Sequence, residues 1–98
     1  MESELKDLIR NFTAANPEVA IAESTEDFGC TVYARGTEML AWASHKVEEL
    51  VAVHLRNGAV ITTRHESVYF LLSKDEAENF QLIHGPLKPS ELVAHFAA

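Results

Sequence analysis

The apolar and polar positions at the start of the chain have helical spacing. Four apolar residues recur at the i, i+3, i+4, i+7 positions that line one helix face: Leu5, Leu8, Ile9 and Phe12. Asn16-Pro17 follows this segment, and proline disfavours helical geometry in the residue before it. The pattern therefore predicts a first helix that ends near residue 16.

The next two segments, residues 18–24 and 28–35, have the spacing of strands. In the second segment Phe28, Cys30, Val32 and Ala34 alternate with polar or small residues, which is typical of a half-buried strand. Only three polar residues separate the two segments. We therefore predict that they form a hairpin.

The middle of the chain, GTEMLAWASHKVEELVAVHLRNG at residues 36–58, allows two interpretations. At about 100° per residue its apolar positions gather on one side, so a single helix accounts for the pattern, with Thr37 as its cap and Asn57-Gly58 as its stop. The alternative is a strand over residues 38–43 that pairs with the preceding strand through Arg35-Gly36-Thr37. Helix propensity favours the single helix.

Residues 59–64 and 67–73 are rich in β-branched and aromatic residues, so they predict an antiparallel pair. Residues 74–84 are ambiguous: Ser73 with Glu76 matches a helix capping box, yet residues 80–84 equally fit a returning strand, which we favour. In the last segment Ser90 is a candidate cap for a short final helix.

This order of elements predicts one domain over residues 1–98, of the α+β class. The expected architecture is an antiparallel sheet of about five strands, with a long central helix and two shorter terminal helices packed on it. The length of 98 residues suits one domain with a modest core.

Composition restricts the possible partners and locations. The chain carries a net charge of −7, which would repel both nucleic acid and an anionic membrane surface, so we expect neither as a partner. The amino-terminal segment lacks the features of a signal peptide, and no apolar run reaches membrane-spanning length. The single cysteine is consistent with a reducing compartment, so we expect a cytoplasmic protein.

Candidate chemistry is sparse. The chain has five histidines, but His45 and His54 lie on opposite faces of the predicted helix, and His65-Glu66 lacks the second histidine of HExxH. Cys30 would be a nucleophile if a histidine approached it, although its alternation with Phe28 and Val32 is more typical of a small core residue. We expect no metal, no cofactor and no enzymatic activity.

The predicted central helix carries a second, mixed stripe beside its main apolar face. This stripe contains Trp42 and Val53, with Lys46 and Glu49 between them. Because aromatic residues are enriched at interfaces, Trp42 suggests that the stripe is buried against another subunit. The alternative is a core wide enough to include this residue. The candidate interface residues are Met39, Trp42, Lys46, Glu49 and Val53.

The segment PEVAIAESTEDFGCTVYARG, residues 17–36, with Asp27 and Gly29 near its turn, resembles the opening hairpin of the Roadblock family of dynein light-chain-like proteins. The order of elements resembles that family too, because its members place a long helix between a hairpin and a three-stranded meander. The resemblance implies a homodimeric scaffold, often a regulator of small GTPases, with no catalytic residues.

The sequence thus predicts a non-enzymatic protein-interaction module, a homodimeric adaptor or regulator that acts through its long helix and a sheet edge. Two alternatives remain open. One is a small inhibitory or immunity-type protein that binds a basic protein surface, and the other is a small enzyme or ligand-binding domain that uses Cys30 and a histidine.

Overall fold

The computed structural model describes residues 2–25, 29–39, 47–48, 50, 68–77 and 79–97. These residues form a five-stranded antiparallel sheet with a helix at each end of the chain, so the α+β class is confirmed, although the five strands are not the five that we predicted. The elements in chain order are α1 (Glu2–Ala15), β1 (Val19–Thr25), β2 (Gly29–Ala34), β3 (Thr37–Glu38), β4 (Val68–Lys74), β5 (Phe80–Leu87) and α2 (Pro89–Ala97).

The strand order across the sheet is β3-β2-β1-β4-β5, with every neighbouring pair antiparallel. The predicted hairpin of the first two strands is confirmed, with Ala22 opposite Val32. On its other side β1 pairs with β4, where Ala22 lies opposite Phe70. The central strand is therefore β1, flanked by β2 and β4, and β3 and β5 lie at the two edges of the described sheet.

The prediction of a long central helix that begins at Thr37 is wrong. Thr37 and Glu38 form β3, and the N–H of Met39 donates to the carbonyl of Val32 at 2.7 Å. The reason is the turn before them: Arg35 and Gly36 have φ values of 54° and 83°, as the two-residue hairpin loop that matches strand twist requires.

The described part of the chain contains two complete helices, both terminal, in place of the predicted long central helix with two shorter ones. Val47, Glu48 and Leu50 have helical conformation. The rest of residues 40–58 lies outside the described residues, as does the strand that we predicted over residues 59–64.

Residues 74–84 resolve in favour of the strand. The Asp75 carboxylate accepts hydrogen bonds from the N–H groups of Ala77 and Asn79, each at 2.9 Å, so it holds the turn between β4 and β5. Asp75 is thus a turn residue of the kind whose side chain bonds to the backbone two residues later.

The final helix is confirmed, but its cap differs from the prediction. The carbonyl of Lys88 accepts the N–H of Leu92 at 3.0 Å, and Oε1 of Glu91 accepts the N–H of Lys88 at 2.8 Å. Lys88 therefore caps the helix, with Pro89 at the first helical position, where the missing N–H costs nothing. Ser90 lies inside the helix.

Apolar side chains bury both faces of the central strands. On one face, called here the helix face, α1 and α2 cover a cluster that includes Ile9, Ile21 and Leu92. On the opposite face a second cluster contains Ala22 and Phe70 and receives Val47, with Leu50 packed against it. The alternation of β1 between the two clusters follows from the period of two in a strand.

Candidate interaction surfaces

In the described part of the molecule, the burial of both faces of the central strands leaves the sheet edges and the outer surfaces of the helices as places where another molecule can bind. Ala20, Ala22 and Val32 are fully buried on one face, and Ile21 is fully buried on the other. A docking surface in the described part of the molecule must therefore be sought at its periphery.

One of the five predicted interface residues is among the described residues. Met39 follows β3, is partly buried, and packs against the cluster on the face opposite the terminal helices. Trp42, Lys46, Glu49 and Val53 lie outside the described residues. The structure thus places Met39 beside the core, and the predicted interface stays a prediction.

The outer side of residues 80–84, called here the β5 edge, is the first candidate surface. Among the described strands, only β4 pairs with β5. The segment reads FQLIH, without a charged residue or proline, and Ile83 is 46% exposed. Natural edge strands usually carry such residues or are very short, because an open row of N–H and C=O groups pairs readily with another strand.

The opposite edge of the sheet has the protection that the β5 edge lacks. The strand there, β3, has only two residues, both exposed, and one of them is the charged Glu38. Arg35, at the adjoining turn, is exposed as well. Short length and charge both discourage strand addition, so the two described edges of the sheet differ in kind.

The β5 edge ends at a break in the strand. The register between β4 and β5 shifts on both sides of the Leu71–His84 pair. One shift leaves Ile83 as an extra residue in β5, and the other precedes the pairing of Leu87. Gly85 has a φ of 146°. A Cβ atom at Gly85 would lie 2.5 Å from Cδ2 of Phe70, so the bare backbone of Gly85 packs directly on that buried ring. Pro86 follows and has no N–H to donate. A pairing strand can therefore use the residues before Gly85, with a local irregularity at Ile83.

The second candidate surface, called here the two-helix patch, consists of Leu8 and Phe12 on α1 with Val93 and Phe96 on α2. The rings of Phe12 and Phe96 stack with centroids 4.6 Å apart. Leu8 lies one turn before Phe12 and Val93 one turn before Phe96, so each flanks this stack. Leu8 and Val93 are each 42% exposed.

Carboxylates border the two-helix patch on its α1 side. Glu4 precedes Leu8 by one turn and Asp7 precedes it directly, and both are exposed. An exposed apolar group with a polar rim is the usual composition of a protein-binding surface. The acidic rim suits a partner with basic side chains around an apolar centre.

Cys30 does not have the environment of a reactive thiol. It is partly buried against the opposite-face cluster. Burial, followed by the negative charges of Glu48 and Glu23, raises the pKa of the thiol from 9.0 to about 12. Because the thiolate is the nucleophilic form, this shift works against the enzymatic alternative in which Cys30 attacks a substrate.

Two tyrosines and a glutamate form a polar cluster on the helix face. The hydroxyl of Tyr69 donates to Oε2 of Glu23, its direct cross-strand neighbour, at 3.1 Å. Burial raises the pKa of Tyr33, as do Glu23 and Glu38 to a lesser extent, while Arg10 lowers it. The hydrogen bond of Tyr69 links β4 to β1, and the raised pKa of Tyr33 favours its protonated form.

Two of the five histidines come together, and sequence reasoning missed them. His84 on β5 and His95 on α2 have ring centroids 5.5 Å apart, although eleven positions separate them in the chain. Their spacing matches no local motif, so only the packing of α2 against β5 reveals the pair. In the described part of the chain, no group of three or more His, Cys, Asp or Glu residues could hold a metal ion.

No family model matches the chain, and neither a curated protein nor a solved structure matches it. The resemblance to the Roadblock family therefore stays a prediction. None of the described helices is long and apolar enough to cross a membrane.

Proposed function

We propose that this protein is a non-enzymatic protein-interaction module that forms a homodimer through the β5 edge. The observation that carries the proposal is the edge at residues 80–84, which contains no Asp, Glu, Lys or Arg, exposes Gln81 and Ile83, and pairs with no described strand except β4. A second copy of the chain is the occupant that presents a strand of the same length and register.

A two-fold axis at Leu82 would join the two copies by antiparallel pairing. Gln81 of one copy would then lie opposite Ile83 of the other, since a two-fold interface is isologous. Each backbone hydrogen bond contributes about 0.5 to 1.5 kcal/mol net, so about four bonds and the burial of Ile83 predict a dimer of modest affinity. Such a dimer would be reversible.

Sedimentation equilibrium of the full chain tests this proposal. We expect the wild type to form a dimer and Ile83→Lys to be monomeric, because a lysine on an edge strand opposes pairing and the two-fold axis brings the new charges close together. Val93→Lys is the matched control: it also replaces a half-exposed β-branched residue, on α2 rather than β5. This variant should remain dimeric.

Two results would contradict the β5 dimer. One is a wild-type protein that stays monomeric up to its solubility limit. The other is an Ile83→Lys variant whose mass equals that of the wild type at every concentration.

A second candidate function is supported by the two-helix patch. Its apolar centre, with Glu4 and Asp7 at its border, and the net charge of −7 favour a protein partner that has a basic surface. Charge complementarity would mainly speed the encounter and make it dependent on salt. This surface suits the inhibitory type of protein that the sequence also allows.

Ile83→Lys and Val93→Lys also test the second candidate. Here Val93→Lys is the disrupting variant and Ile83→Lys is the control. In affinity capture followed by mass spectrometry, a partner of the two-helix patch should be retained by Ile83→Lys and lost with Val93→Lys. Its binding should also weaken as the salt concentration rises. If the Val93→Lys variant captures the same partner as the wild type does, the assignment of this patch is contradicted.

A further inference from the structure

We propose that His84 and His95 form a binding site for a divalent transition-metal ion, of which Zn²⁺ is the representative. Imidazole nitrogens favour zinc, copper and nickel, whereas magnesium and calcium prefer oxygen ligands. One chain supplies both histidines, although His84 is also the last residue of the β5 edge.

The separation of the two rings fits a shared metal ion. A zinc ion lies about 2.0 to 2.1 Å from an imidazole nitrogen, so two rings that bind it at a tetrahedral angle have centroids about 5 Å apart. The observed centroid distance is 5.5 Å, with an interplanar angle of 64°. The rings meet edge to face, so the two side chains must rotate to turn one nitrogen of each ring toward the same metal ion.

The two histidines lie on elements whose relative position is fixed. His84 sits in β5 opposite Leu71 of β4. The helix that carries His95 is anchored by the fully buried Leu92 and by Phe96, whose ring stacks on Phe12. Since little backbone ordering is needed on binding, the entropic cost of forming the site is small.

The connection between the two elements is equally tight. Lys88 alone separates the end of β5 from the start of α2. Its N–H is held by Oε1 of Glu91 at 2.8 Å, within the first turn of that helix. The loop therefore contributes little freedom to the distance between His84 and His95.

The composition of the site predicts its strength. In the described part of the chain no third candidate ligand joins the pair, so water would fill the remaining coordination positions. Such a site binds more weakly than a closed structural zinc centre, which has four protein ligands. The net charge of −7 favours the approach of any cation.

Isothermal titration of the full chain with zinc chloride tests the proposal. We expect one Zn²⁺ per chain in the wild type, and a loss of affinity of about tenfold or more in both His84→Gln and His95→Gln, because each removes one of two ligands. His45→Gln is the matched control, since it deletes a different histidine, and its affinity should stay within about twofold of the wild type.

NMR of the histidine rings provides an independent readout in the same samples. Zn²⁺ should shift the ring signals of His84 and His95 together, and Mg²⁺ and Ca²⁺ should shift neither. Thermal unfolding without metal establishes that each glutamine variant is folded before it is titrated.

Three results would overturn the site. The first is zinc binding that survives both His84→Gln and His95→Gln. The second is binding that saturates only at millimolar zinc, which would indicate adventitious contact. The third is one Zn²⁺ per two chains, because the proposal assigns both ligands to one chain.

Discussion

At the scale of single residues, Thr13 connects α1 to the loop between β2 and β3. Its side chain is fully buried, and its hydroxyl donates to the carbonyl of Ile9 and accepts the N–H of Gly36, each at 3.0 Å. A helix residue thereby satisfies a backbone donor in a turn whose two residues both have positive φ. The Arg35-Gly36 turn brings β3 back alongside β2, at the edge of the sheet.

Replacement of Thr13 by valine keeps the shape of the side chain and removes the hydroxyl. We expect Thr13→Val to lower the free energy of unfolding by about 1 to 3 kcal/mol, because the Gly36 N–H loses its acceptor. Urea unfolding measures the difference. Thr13→Ser is the control, since it keeps the hydroxyl, and a Thr13→Val variant as stable as the wild type would refute the role of the hydrogen bond.

Cys30 gives a prediction about both reactivity and pH dependence. With its pKa raised from 9.0 to about 12, the folded protein should react with iodoacetamide at neutral pH about a thousandfold more slowly than the urea-unfolded chain, since each pKa unit is a factor of ten in thiolate. Comparable rates in the two states would show that the thiol is accessible and ionised.

The sign of the pH effect follows from the same shift. The unfolded chain loses the thiol proton near pH 9, while the folded chain keeps it until about pH 12. Unfolding therefore becomes easier as the pH rises through this interval, and full stability is retained below it. The raised pKa of Tyr33 acts in the same direction, so Cys30→Ala should remove only part of the alkaline loss.

At the scale of elements, the sequence patterns predict those parts that depend on local periodicity. The amphipathic spacing of Leu5 to Phe12 and the alternation around Val32 correspond to α1 and β2. The error at Thr37 arose because good helix formers follow it, whereas pairing with β2 and the conformation of Arg35-Gly36 determine its structure. Tertiary pairing here overrides intrinsic propensity.

The break in β5 provides a prediction at this scale. Gly85→Ala should lower the free energy of unfolding by about 2 to 4 kcal/mol, because the new Cβ would overlap the ring of Phe70 and because alanine is strained at a φ of 146°. Thermal unfolding followed by circular dichroism measures the loss.

A double variant separates the overlap from the backbone strain. Phe70→Leu creates space beside Gly85, so the combined variant should lose less stability than the sum of the two single changes, as expected for residues in contact. Simple additivity would contradict direct packing of Phe70 on Gly85.

At the scale of the whole molecule, the candidate surfaces depend on topology, which local patterns do not specify. Residues 80–84 were ambiguous between helix and strand, and their place at an edge follows only from the strand order β3-β2-β1-β4-β5. Likewise, the stacking of Phe12 on Phe96 requires the two ends of the chain to pack on one sheet, and the proximity of His84 to His95 requires α2 to fold back against β5. Sequence separation conceals both.

The arrangement of layers explains why the proposed interactions lie at the periphery. Both faces of β1 are buried: Ile21 is fully buried on the helix face, and Ala20 and Ala22 are fully buried on the opposite face. Among the residues that the structure describes, a new partner therefore meets an edge strand or the outer surface of a helix. The β5 edge and the two-helix patch are the places where apolar side chains in the described chain remain exposed on such elements.

Hydrogen exchange as a function of protein concentration tests the β5 dimer most directly, because it reports on the backbone groups that would pair. Exchange of the amides in residues 80–84 should slow as the concentration rises, while those of β1, which is paired on both sides, stay unchanged as an internal reference. Exchange at residues 80–84 that is the same at every concentration would contradict pairing at this edge.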